Sequence, residues 1–155
     1  MKIELISSSH SVGEANYHMQ FTPAYRRDIF GEQLVQILTR DYLLAAASRH
    51  KITVVAIGFG PDHVHIFVVN SKNHSAAKVA QLLKGFSSRM MRKHHVQLFA
   101  DKLYGDKFWS AGYFYRTVGA VNSSTINRYV EESQEKHWKQ KEEPRQAKLL
   151  EFTAN

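Results

Sequence analysis

The residues best suited to chemistry in this 155-residue chain lie in the run Asp62-His63-Val64-His65-Ile66-Phe67-Val68. On a strand, residues i and i+2 project to the same face, so His63 and His65 would stand side by side, about 7 Å apart at the backbone. Two adjacent imidazoles on a rigid strand make half a site for a divalent metal. A bare His-x-His can equally fill a polar sheet face, and that use is the commoner one. Ile66 and Phe67 stand where a metallohydrolase would bring an acidic ligand, which argues against that class.

Charge gives the second signal. No Asp or Glu occurs between His63 and Ala100, whereas Lys72, Lys78, Lys84, Arg89, Arg92 and Lys93 all fall there. A helix face of one sign repels itself unless a polyanion neutralises it, and ordinary solvated faces mix signs. Phosphate contact is therefore expected from Lys84, Arg89, Arg92 and Lys93, with Ser87 and Ser88 interspersed. The whole chain agrees: 21 Lys and Arg against 14 Asp and Glu leave +7 before any of the nine histidines is protonated. That balance favours nucleic acid over an acidic membrane surface. Tyr104, Phe108, Trp109, Tyr113, Phe114 and Tyr115 interleave the basic region, either as platforms for unpaired bases or as core.

Tyr129 is the candidate nucleophile. A phenol attacks phosphorus only when its proton is removed or its charge stabilised, since its free pKa is near 10. A cation held by two histidines would offset charge at a scissile phosphate. Considered alone, Tyr129 lies on the apolar stripe of its helix, as a packing residue would.

Several classes drop out. With no cysteine, a disulfide framework, a Cys-ligated zinc and a thiol nucleophile are excluded. Charges interrupt every apolar stretch before the roughly 18 residues of a membrane span. Glu4 and Ser7-Ser8-Ser9 stand where a signal peptide is apolar. A soluble protein of the cytoplasm is expected, nucleoid-associated when bound to DNA.

The elements that must position these residues alternate. Tyr17, Met19 and Phe21 alternate with polar neighbours, as in a strand with one buried face. From about Gly31, helical spacing puts Leu34, Ile37, Leu38, Tyr42 and Ala45 on one stripe. A strand over Ile52–Phe59 and a second from His63 to Val69 flank a Gly-Pro-Asp turn, making an antiparallel hairpin. A helix from about Ser75 to His95 turns Val79, Leu82, Leu83, Phe86 and Met90 inward. An irregular aromatic segment follows, then a strand over Tyr113–Val118. A last helix, capped by Ser123 or Ser124, carries Ile126, Tyr129, Val130, Ser133 and His137. The order predicts one α+β domain over 1–155: a ferredoxin-like split β-α-β sheet, antiparallel, with helices on one face and an extra C-terminal helix bearing the tyrosine. Residues 136–155 read as a frayed, charged tail.

Taken together, six segments resemble the transposases of the IS200/IS605 group, single-tyrosine members of the HUH nuclease superfamily. They are Asn16-Tyr17-His18 with Tyr25-Arg26-Arg27; Pro61 to His65; Leu83 to Arg89; Phe108 to Phe114; Thr117-Val118-Gly119; and Ile126 to Glu131. The resemblance implies a DNA transposase that cuts and rejoins single strands through a covalent 5′-phosphotyrosine, without a nucleotide cofactor. It makes Tyr129 the nucleophile, His63 and His65 metal ligands, Mg²⁺ or Mn²⁺ the cofactor, and hairpins near transposon ends the recognised DNA. Arg26, Arg27, Lys84, Ser87, Arg89, Arg92 and Lys93 become the expected DNA contacts. It also implies a homodimer whose active sites can combine one subunit's His pair with the other's tyrosine.

One position departs from the family pattern, which places a Gln four residues after the tyrosine as third metal ligand. Ser133 stands there, and Gln134 follows. At 100° per residue a regular helix turns Gln134 off the Tyr129 face. Gln134 is the expected third ligand if a helix bulge restores it, with Glu131 or Glu132 as substitutes. The departure motivates an alternative: an inactive or domesticated protein that binds hairpin or single-stranded nucleic acid.

Overall fold

The computed structural model describes residues 6–7, 12–13 and 15–119. Ile6–Ser7 and Val12–Gly13 form a short antiparallel ladder. The main body runs β1 (Tyr17–Phe21), α1 (Gln33–Arg49), β2 (Thr53–Gly60), β3 (His63–Val69), α2 (Ala76–His94) and β4 (Phe114–Thr117). The four strands form one antiparallel sheet in the order β2-β3-β1-β4. This is the split arrangement expected from the element order. The helix expected to carry Tyr129 and Gln134, and the 136–155 tail, lie outside the described residues.

One face of the sheet makes the main core. Met19, Phe21, Val64, Ile66 and Val68 from β1 and β3 pack against Val35, Leu43 and Ala46 of α1 and against Val79, Ala80, Leu83 and Met91 of α2. Burying a large apolar side chain contributes about 1.5–3 kcal/mol, so this layer fixes β1 and β3 firmly. Among the described residues, the opposite face has only a small apolar cluster, Phe67 and Val69 with Val55, Ala56 and Val118 against them. That face also carries His18, His63 and His65, by the alternation of β1 and β3.

The α2 helix follows its sequence signals. The Ser75 side chain caps it by accepting from the Lys78 amide at 3.1 Å, and Arg92, Lys93 and His94 occupy its last turn, where the helix dipole favours cations. Met91, rather than Met90, completes the buried stripe.

The inward face of α1 differs from the expected one. Val35, Thr39, Leu43, Ala46 and Ala47 are buried, while Leu34 and Ile37 stay 45% and 48% exposed. The helix is apolar on nearly every side, so spacing alone cannot select a face. Ala46 and Ala47 are small enough to admit close approach of the sheet and α2, and that steric fact decides the orientation.

Candidate metal and nucleic-acid site

The β2–β3 hairpin places the imidazole pair. Gly60 pairs with His63 across a two-residue turn, Pro61-Asp62. Proline fixes φ at the first turn position, and Asp62 has no positive φ, so the turn is neither of type II nor of the primed types. The turn is pinned by the Phe30 amide, which donates to the Pro61 carbonyl at 3.1 Å. Asp62 is thereby delivered directly against His63: Oδ1 lies 2.9 Å from His63 Nδ1, and Oδ2 accepts from Arg26 Nε at 3.3 Å. An ionised carboxylate only accepts, so Nδ1 of His63 donates and the ring lone pair sits on Nε2. A carboxylate on the distal nitrogen is the arrangement that orients metal-ligating histidines.

Gly60 has a steric role that composition alone does not suggest. A Cβ at this position would fall 2.2 Å from His63 Cε1. The imidazole lies flat in the space that any other residue would fill, and only 1% of His63 is exposed.

His65 sits two residues on, its ring centroid 4.9 Å from that of His63 and nearly perpendicular to it. Its Nδ1 is 2.9 Å from Nε2 of His18 on β1. Burial, reinforced by the nearby Arg116 charge, lowers the His18 pKa to about 4, so His18 is neutral near pH 7. In the tautomer with His18 accepting at Nε2, His65 donates from Nδ1 and, like His63, carries its lone pair on Nε2. The opposite tautomer would place a hydrogen there. Stacking of His18 on Phe67, rings 4.6 Å apart and 5° from parallel, holds that contact in place. Two adjacent imidazoles can supply half a divalent coordination shell. No cluster of three or more His, Asp or Glu able to hold a metal occurs among the described residues. Mg²⁺ or Mn²⁺, which prefer oxygen, would need their remaining ligands from elsewhere.

Beside the pair, Tyr25 and Arg26 both adopt positive φ, 56° and 53°. Left-handed backbone at non-glycine residues costs on the order of 1–3 kcal/mol each, and it concentrates at functional sites. Here it turns Arg26 toward Asp62 and leaves Tyr25 80% exposed, with Arg27 exposed after it.

The basic residues of α2 divide into two sets. Arg89 and Lys93 are exposed. Lys84, by contrast, donates to the Ser110 carbonyl at 2.7 Å and the Gly112 carbonyl at 2.8 Å, and burial lowers its pKa. These carbonyls belong to a loop that leaves the ladder between the Pro23–Trp109 bridge and the Gln20–Phe114 pair. Ser87 is buried and accepts from the Trp109 indole at 2.9 Å. Arg92 donates to the carbonyls of Leu103 and Lys107. Lys84, Ser87 and Arg92 thus fasten the segment leading into β4.

Of the aromatic run, Phe108 and Trp109 are core, whereas Tyr104, Tyr113, Phe114 and Tyr115 are exposed. Spacing within the His-x-His run does not reveal His18, Asp62 or Gly60 as parts of the site. The signals available were a histidine on the polar face of β1 and an acidic residue directly before His63. The Gly-Pro-Asp pattern marks Gly60 as a turn residue, not as the space for the His63 ring.

The family model described as "Transposase IS200 like" matches residues 11–133. That span includes Tyr129 and stops one residue before Gln134. Two transposases for insertion sequence element IS200, from Salmonella typhimurium strain LT2 and Salmonella typhi, are each 28% identical over 125 residues, covering 80% of this chain and 80% of their own length. Among solved structures, a candidate transposase from Deinococcus radiodurans R1 matches with a TM-score of 0.64 and 24% identity, over 82% of this chain and 96% of its own. A REP-associated tyrosine transposase bound to a REP hairpin matches with a TM-score of 0.52 and 10% identity, over 75% and 62%. At these identities the two structures share the fold with this chain.

Proposed function

This chain belongs to the IS200-like transposase family, and from that premise we propose that it cleaves and rejoins single-stranded DNA at the ends of an insertion element. The observation that carries the reading is the paired anchoring of His63 by Asp62 and of His65 by His18, which fixes two neighbouring imidazoles on one strand where they would hold a cation.

Tyr129 is the nucleophile in this reading. Its oxygen bonds to phosphorus as the bond from phosphorus to the 3′-oxygen breaks, giving a 5′-phosphotyrosine and a 3′-hydroxyl. The phenol gives up a proton and the departing 3′-oxygen takes one up, so the step needs no oxidant and no nucleotide. The bond energy stays in the phosphotyrosine, available for rejoining. Mg²⁺ or Mn²⁺, when bound, would supply charge to offset the buildup on the scissile phosphate. His63 and His65 would hold it, with Gln134 as a third ligand and phosphate oxygens beside them. Exposed Arg26, Arg27, Arg89 and Lys93 supply phosphate contacts. Recognition of end hairpins fits the REP hairpin bound by the structural relative. A homodimer sharing active sites, at work on nucleoid DNA in the cytoplasm, completes the reading.

The test incubates the full chain with Mg²⁺ and a single-stranded transposon-end oligonucleotide, then resolves protein–DNA adducts under denaturing conditions. An adduct from wild type and none from Tyr129→Phe is the expected result. An adduct that survives Tyr129→Phe removes that residue from the role. Tight hairpin binding with no metal-dependent nicking would favour the binding-protein alternative, which Ser133 at the usual Gln position motivates.

A further inference from the structure

The strand β4 stands beside the imidazoles, on the far side of β1 from His63 and His65. Its register gives the placement: Gln20 is cross-strand partner to both His65 and Phe114, and His18 to both Phe67 and Arg116. Directly opposed residues project to one face of a sheet. Phe114 and Arg116 therefore stand on the histidine face, Phe114 two strand spacings, about 10 Å, from His65.

Their exposure is the anomaly. All four residues of β4 are exposed, whereas every residue of β3 is buried. The Phe114 ring meets His18 edge-on at 6.3 Å and keeps 48% of its surface in water. A half-wet phenyl beside a guanidinium on a polar face is a poor packing solution but a good surface for a flat, anionic ligand. The strand is also fixed in advance, because Lys84 holds the carbonyls of the preceding loop and Ser87 holds Trp109.

We propose that Phe114 and Arg116 form a nucleotide platform, Phe114 stacking an unpaired base and Arg116 pairing with the adjoining phosphate, for the strand whose scissile phosphate lies at His63 and His65. The inference rests on the single-strand reading above and adds the residues that grip the flanking nucleotide. Only an unpaired base offers its face, so the platform selects single strands over duplex.

The experiment measures binding of the full chain to fluorescein-labelled oligothymidylate and to a fully abasic strand of equal length, across a salt series. Phe114→Ala should weaken oligothymidylate binding about 5- to 150-fold, the range of one aromatic–base stack, with its salt slope unchanged. It should leave abasic binding as in wild type. Arg116→Ala should weaken both and lower the salt slope by about 0.7, one phosphate's share. Phe114→Trp should restore affinity, and its added emission should be quenched on binding. Equal affinity of Phe114→Ala and wild type for oligothymidylate overturns the platform, as does an equal loss on the abasic strand. A changed oligomeric state with DNA binding intact makes β4 a protein interface and also overturns it. When wild type still forms the Tyr129 adduct, such a failure is the platform's alone. When wild type neither binds nor forms adduct, the single-strand reading falls and the platform with it.

Discussion

Strands β3 and β4 pair with the same central strand and present side chains to the same face, yet β3 is buried at all seven positions and β4 exposed at all four. The interior strand has neighbours on both edges and core beneath it, so each of its polar groups must find a partner inside the protein. His63 finds Asp62 and His65 finds His18. Among the described residues the edge strand has one neighbour, and its side chains can await a further partner. Rigid chemistry and adaptable contact are thereby separated by a single strand. Preorganisation belongs where packing fixes the rotamer, and recognition where it does not.

The comparison breaks most sharply at Gly60. Gly60→Ala puts a methyl group into the His63 ring, so Mn²⁺ affinity measured by calorimetry should fall about 10- to 100-fold, as for loss of an outer-shell partner. Unchanged affinity in a folded variant would mean that the ring can tilt away without consequence, and the interior strand would be softer than argued here.

A pair of cations on α2 sharpens the contrast. Lys84→Ala removes the donor to the loop that feeds β4 and should cost about 1–3 kcal/mol of stability in urea, leaving the salt slope of DNA binding unchanged. Arg89→Ala, at an exposed site, should cost no more than about 0.5 kcal/mol and lower that slope by about 0.7. Equal slope changes would show that the Lys84 ammonium leaves its carbonyls to meet phosphate.

A further effect is expected from pH. His18 has a folded pKa of about 4 against 6.5 for the free side chain. Between those values the unfolded chain binds a proton that the folded chain refuses, so stability falls as pH drops from 6.5 toward 4 and is unaffected by this group above 6.5. His18→Phe removes that titration. The melting temperature of wild type should therefore fall relative to that of the variant as pH drops through the window. Parallel curves would mean that His18 is not shielded from protonation.

Much of this arrangement was legible locally. Period-two alternation marked Tyr17–Phe21, and the Gly-Pro-Asp turn marked the hairpin whose second strand begins at His63, as observed. Ser75 announced the start of α2. The inward face of α1 was not legible, because Leu34, Ile37 and Ala45 are as apolar as the residues that are buried. Lys84 and Ser87 looked like phosphate contacts because a one-signed helix face says nothing about carbonyls and an indole 22 or more residues away.

The sequence by itself determined the elements and put His63 and His65 on one face, since a strand's alternation is fixed by backbone geometry over two residues. It also determined the family, through motifs in a set order across most of the chain. Only the tertiary structure decided what holds those imidazoles. His18 reaches His65 across 47 positions of chain, from a different strand. Contacts of that kind depend on how strands are ordered and helices seated, which side-chain volume and burial settle collectively and no short stretch of residues encodes.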